Sequence, residues 1–198
     1  MSIITSQDVV VLRQKTGLGM MDCKKALEAS DGDFEKAIDY LRKKGISKGE
    51  SRAGRATGEG VVESYIHPGG RIGVMVEILC ETDFVARSED FMRLARDLAL
   101  QVAATNPVAV RREEISLEKV EKELEIYREQ MAGEKKPQEI IDRIAKGKLE
   151  KFYQETCLLE QPFVKDPKMA VNDYVLATAG KLKENILVRR FVRFALGN

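Results

Sequence analysis

His67 is the sole histidine of this 198-residue chain, and Cys23, Cys80 and Cys157 are its only thiols. A serine or cysteine hydrolase would have to recruit His67 as its base. That residue falls in Ile66-His67-Pro68-Gly69-Gly70, the expected tip of a β-hairpin, where a base is hard to shield from water or to hold by a third group. A polar residue flanking a turn is the simpler reading. The cysteines stand far apart without a C-x-x-C pair, so neither a zinc site nor a disulfide framework is suggested, and reduced thiols are expected. Paired carboxylates are plentiful but belong to the wet faces of amphipathic helices. No G-x-x-x-x-G-K-[ST] loop occurs, and the glycines between 45 and 60 do not follow a strand, which excludes the phosphate-loop and dinucleotide patterns. The expectation is a protein that is not an enzyme and carries no cofactor and no metal.

Binding chemistry is better represented. Gly17-Leu18-Gly19-Met20-Met21 sets two methionines at a glycine-rich turn, either as a soft contact patch or as filler for a small core; spacing leaves both open. Glu81-Thr82-Asp83-Phe84-Val85-Ala86-Arg87 joins a buried strand to the helix start at Ser88. Asp83 and Phe84 cannot both point into a core. Whether Phe84 packs inward or faces a partner is not decided by spacing. Arg42 to Arg55 holds six basic residues and one acid, which could track phosphates together with Arg189, Arg190 and Arg193. The whole chain balances 33 Lys+Arg against 32 Asp+Glu, for a net charge of +1, and its basic residues are not interleaved with aromatics on one face. A solvated basic linker is therefore preferred over direct nucleic-acid binding, although a ribosome- or RNA-associated adaptor stays as the alternative.

The elements that must position these residues follow from periodicity. Val9, Leu12 and Thr16, then Cys23, Ala26 and Leu27, then Phe34, Ala37, Ile38 and Leu41 mark three short helices within residues 1–45, with Gly45 as the last stop. Residues 46–60 read as a basic, glycine-rich linker with room for a short helix, and 61–198 as a core domain. Val61–Ile66 and Arg71–Cys80 form a hairpin, with Ile72, Val74, Val76, Ile78 and Cys80 on one buried face. Helices are expected from Ser88 to Thr105, from Ser116 to about Ala132, from Pro137 with an interruption near Gly147, and from Lys168 to Leu182. Asn185–Phe194 is β-branched and aromatic and returns as a strand to the hairpin's sheet, with Arg189 and Arg193 on one face and Arg190 on the other. Strand, strand, helices, strand is an α+β layout: a three-helix bundle, then a small antiparallel sheet packed with helices. No segment approaches the ~18 consecutive apolar residues of a membrane helix. The N-terminus lacks a basic stretch followed by an apolar run, so a cytoplasmic protein with no membrane partner is expected.

Thr16-Gly-Leu-Gly-Met-Met-Asp-Cys-Lys-Lys-Ala-Leu27, Cys80-Glu-Thr-Asp-Phe-Val-Ala-Arg87, Gln161-Pro-Phe-Val164 and Glu184-Asn-Ile-Leu-Val-Arg-Arg190 resemble, in order along the chain, the elongation factor Ts family in its short form with one core subdomain. The resemblance implies a ubiquitin-associated-like bundle and a role as guanine-nucleotide exchange factor for elongation factor Tu in translation elongation. It further implies that Phe84 wedges into the partner's nucleotide domain while Thr82, Asp83 and Val85 disturb the shell around the partner's Mg²⁺. Arg13, Met20, Met21 and Lys24 in the bundle and His67 on the hairpin are the other contact positions it implies. Short forms are expected to be homodimers joined through the core sheet, and each cysteine lies in a segment read as core, so no dimer disulfide is expected. The chain departs from the family at Leu182-Lys183, where Ile-Gly often precedes Glu-Asn.

Overall fold

The computed structural model describes residues 4–131 and 137–197. Its helices are α1 (Ser6–Thr16), α2 (Met20–Ala29), α3 (Phe34–Glu50), the one-turn α4 (Asp83–Ala86), α5 (Glu89–Thr105), α6 (Leu117–Glu129), α7 (Gln138–Thr156) and α8 (Val171–Leu182). The strands are β1 (Glu59–Ile66), β2 (Ile72–Cys80), β3 (Pro162–Phe163), β4 (Asp166–Ala170) and β5 (Leu187–Ala195). The protein is α+β, as its element order predicts.

Local signals start the bundle helices. The Thr5 hydroxyl accepts the Asp8 N–H while the Asp8 carboxylate accepts the Thr5 N–H at 2.9 Å, a reciprocal cap on α1. Gly17, at φ 67°, turns the chain out of that helix. The Asp33 carboxylate accepts two N–H groups at the start of α3. Val9, Leu12, Cys23, Ala26, Leu27, Ala37 and Leu41 then close a core of their own, on the faces their spacing marks.

The expected stop at Gly45 is not one: α3 continues to Glu50. Gly45 and Gly49 are where α8 crosses α3, and a Cβ on Gly49 would stand 2.8 Å from the carbonyl carbon of Leu176. Bare backbone lets the two helices touch, and packing against α8 outweighs the weak helix propensity of the glycines. Residues 46–50, read from sequence as the start of a linker, are thus part of a helix seated on the core.

The main sheet has the antiparallel order β1-β2-β5. Val74, Val76, Ile78 and Cys80 of β2 and Val188 of β5 face Phe91, Leu94, Ala95, Leu98 and Val102 of α5, all of them buried. The register slips between Glu77 and Ile78, which face Arg190 and Val188, so Arg189 is the extra residue of a bulge. That bulge brings both Arg189 (3.6 Å) and Arg190 (2.5 Å) to the Glu77 carboxylate, although the sequence places the two on opposite faces.

Two more boundaries differ from expectation. Lys168–Ala170 is not helix but the end of β4, because Ala170 pairs with Pro162 and Val171 donates its N–H to the Gln161 carbonyl at 2.9 Å. Helix α7 runs unbroken through Gly147, which is exposed and has no neighbouring group to clash with or pack on. It pairs with α6 through Leu124, Tyr127, Met131, Ile141, Ile144 and Ala145. The expected end of the preceding helix at Ala132 lies outside the described residues.

Candidate functional site

Where β2 ends at Cys80, the backbone ladder with β5 has already stopped at Leu79↔Leu187, and side chains take over. Glu184 receives three donors in one carboxylate: the Glu81 N–H at 3.0 Å, the Thr82 N–H at 3.1 Å and the Thr82 hydroxyl at 2.6 Å. Glu81 returns the contact by accepting the Asn185 N–H at 2.6 Å, and the Asn185 amide donates to the Arg55 carbonyl at 2.8 Å. Because Thr82 gives its hydroxyl proton to Glu184, its oxygen is free to accept the Val85 N–H (3.4 Å) and cap α4. Burial, with the Glu184 charge adding to it, pushes the Cys80 thiol up to about 11, and that thiol bonds the Thr82 carbonyl at 3.2 Å.

On this braced turn Val85 packs against the core and Ala86 is buried, so the residue between Asp83 and Val85 is driven the other way. Phe84 is 84% exposed. Asp83 is half-buried, shares the first turn of α4 and pairs with Arg87 at 3.2 Å. The alternative left open by spacing, Phe84 inward, is excluded by the side of the helix that the buried residues occupy.

The bundle presents a second surface. Met20 is 38% and Met21 64% exposed, so neither fills the core. Arg13 and Lys24 are exposed beside them in sequence on α1 and α2, with Lys24 paired to Glu28 at 3.8 Å. Asp22 accepts Lys44 and Lys48, each at 3.0 Å, which ties the start of α2 to α3 and holds the Asp22 carboxylate below its ordinary range.

His67 stands exposed at the hairpin tip, its N–H donating to the Ile72 carbonyl at 2.9 Å and its Nδ1 3.1 Å from the Tyr65 hydroxyl. Among the described residues no hydrogen bond or ion pair joins His67, the bundle patch and the Phe84 turn. Among the same residues, no group of three or more His, Cys, Asp and Glu is arranged to hold a metal ion, and no helix is long and apolar enough to cross a membrane.

Four residues of the basic segment pair with three carboxylates of the same chain. Arg42 pairs with Asp166 at 2.8 Å, Lys44 and Lys48 with Asp22, and Arg55 with Glu81 at 3.5 Å. Sequence reasoning missed the Glu184–Asn185 clamp. Those residues stand in a recognisable motif, yet nothing in their spacing announces a partner about 100 positions upstream.

The described residues thus present exposed apolar side chains at two places, Phe84 on a capped, braced turn and Met20 and Met21 at the start of α2. The family described as Elongation factor TS matches residues 46–198. Over 98% of this chain, it is 55% identical to elongation factor Ts of Carboxydothermus hydrogenoformans, covering 90% of that protein. The elongation factors Ts of Desulfosudis oleivorans and Oleidesulfovibrio alaskensis are 51% and 54% identical, with both chains covered in full. The chain belongs to the elongation factor Ts family and is a translation elongation factor.

Proposed function

We propose that this protein is a guanine-nucleotide exchange factor: it binds elongation factor Tu carrying GDP, disturbs the partner's Mg²⁺ site, and promotes GDP release and GTP loading. The observation that carries the proposal is Phe84, an aromatic side chain 84% exposed on a turn whose every neighbour is tied down. A backbone held in that way enters a partner without first having to be ordered, so only the rotamers of the ring remain to be fixed on binding. Phe84 is the wedge, while Thr82, Asp83 and Val85 bring the capped turn against the shell around the partner's metal. Arg13, Met20, Met21 and Lys24 dock the bundle, and His67 makes a third contact from the hairpin.

Such a wedge fits well only the partner state whose nucleotide pocket is loosened, so binding shifts the population toward that state. Coupling is reciprocal: the factor by which this protein weakens GDP binding is the factor by which GDP weakens its own. GTP rebinding then displaces it. No covalent step is required, so the protein is not an enzyme, and it works in the cytoplasm without direct nucleic-acid or membrane contact. The internal pairing of Arg42, Lys44, Lys48 and Arg55 favours this over an RNA adaptor. The outward face of the sheet, with Val62, Ile66, Met75, Val192 and Phe194 exposed, supports a homodimer joined there.

The test is the release rate of a fluorescent GDP from elongation factor Tu. A large acceleration by this protein, lost in Phe84→Ala with the fold intact, is expected; unchanged release with the folded wild-type protein overturns the proposal.

A further inference from the structure

Helix α4 is a single turn of four residues, and a lone turn is an unfavourable nucleus that its own hydrogen bonds do not sustain. Phe84 contributes nothing to holding it, being outside the core. Val85 and Ala86 seat its inner side on the core, and the end of β2 that leads into it is held by side chains from the segment before β5. Glu184 stands three positions before Leu187, the first residue of β5, and β5 is anchored to β2 along its length. Lys183, at φ 64°, turns the chain so that the Glu184 carboxylate faces the end of β2. There it collects two backbone N–H groups and a hydroxyl, and Glu81 answers by collecting the Asn185 N–H. The exchange is reciprocal, so neither segment can shift without breaking bonds on both. It acts on Phe84 through Thr82: the hydroxyl that donates to Glu184 is the one that caps α4 at Val85.

We infer that Glu184 is a positioning residue of nucleotide exchange, its carboxylate holding Glu81 and Thr82 so that α4 presents Phe84 outward in one orientation. This deepens the proposed function and rests on Phe84 being the wedge. Without Glu184 the turn samples several arrangements, of which a fraction is competent, and apparent affinity falls by that fraction. At saturating concentration the partner selects the competent arrangement, so the maximal rate is retained. A residue that itself acts on the partner's pocket would behave differently, because its loss lowers the rate at saturation.

The experiment measures GDP release from elongation factor Tu across a concentration series of wild type, Glu184→Ala, Glu184→Gln and Phe84→Ala, alongside amide hydrogen exchange of each free protein. For Glu184→Ala the concentration for half-maximal release is expected to rise on the order of tenfold, with the maximal rate kept. The Thr82 and Val85 amides should exchange faster by a similar factor, while Val76 and Ile78 in the buried strand stay protected. Glu184→Gln keeps the volume and one acceptor oxygen, should fold as wild type with a smaller shift, and carries the test if the alanine variant is unfolded. Unchanged half-saturation or unchanged Val85 protection, with Phe84→Ala slow, overturns the role of Glu184 and leaves the wedge standing. Wild-type release by Phe84→Ala overturns the wedge and this role together.

Discussion

Gly180 of α8 lies so close to Gly45 of α3 that a Cβ on Gly180 would stand 2.9 Å from the Gly45 carbonyl carbon. The two glycines, with Gly49 against Leu176 one turn on, make the seam that joins bundle to core. Ion pairs flank it: Arg42 with Asp166, and Lys181 with Asp90, each at 2.8 Å. The bundle's methionines and the core's Phe84 therefore belong to one packed body.

That contact gives two glycine substitutions opposite signs. Gly180→Ala forces the helices apart and is expected to lower stability by about 2–3 kcal/mol, as overpacked interiors do. Gly147→Ala, in an exposed stretch of α7 with open space around it, should raise stability by about 0.5–1 kcal/mol through helix propensity alone. Urea unfolding of both variants decides it; equal shifts in the same direction would sink the account of the seam.

Lys183 occupies a left-handed conformation (φ 64°, ψ 23°) that a side chain disfavours by roughly 1–2 kcal/mol. Glycine relieves this at some cost in unfolded-state entropy. Lys183→Gly is expected to stabilise by about 0.5–1 kcal/mol, seen as a rise in Tm. A fall in Tm would contradict backbone strain at this position.

Asp22 links stability to pH. Lys48 and Lys44 hold its folded value below the ordinary 3.8, so the unfolded state takes up its proton first. The contribution is complete above 3.8 and is lost as pH falls through the lower folded value. Asp22→Asn should destabilise by about 0.5–1 kcal/mol at neutral pH. The gap to wild type should close well below pH 3.8, and a gap that persists there would point to packing rather than charge.

Met75 and Val192 stand opposite each other on the outward sheet face, 49% and 40% exposed. If two copies join through this face, Met75→Glu buries a charge in the interface and should sediment as a folded monomer where wild type is a dimer. A wild-type monomer under the same conditions would rule the interface out. All three thiols are buried and free, so none should react with a thiol reagent until the chain unfolds, and the dimer should survive reducing agent.

Much of the fold is legible in short-range pattern. The period of Ile72, Val74, Val76, Ile78 and Cys80 marks a strand with one buried face, and Thr5, Asp33 and Ser88 announce helix starts that all three make. Less legible are features whose cause is a distant partner. Gly45 reads equally as a helix stop and as a crossing point, because only α8 distinguishes them. Lys168–Ala170 carries a helix-compatible pattern, and pairing with Pro162 makes it strand.

The candidate site divides in the same way. By itself the sequence determined the α+β class, the strands and helices, and the motif around Phe84, since these depend on side-chain types and spacings within a few turns of chain. Tertiary structure decided that Phe84 and both methionines face outward, that Glu184 reaches Thr82 across 102 positions, and that Arg42, Lys44, Lys48 and Arg55 of the basic segment are paired. Exposure and ion pairing are properties of what lies opposite a residue, and what lies opposite is set by how the helices and the sheet pack.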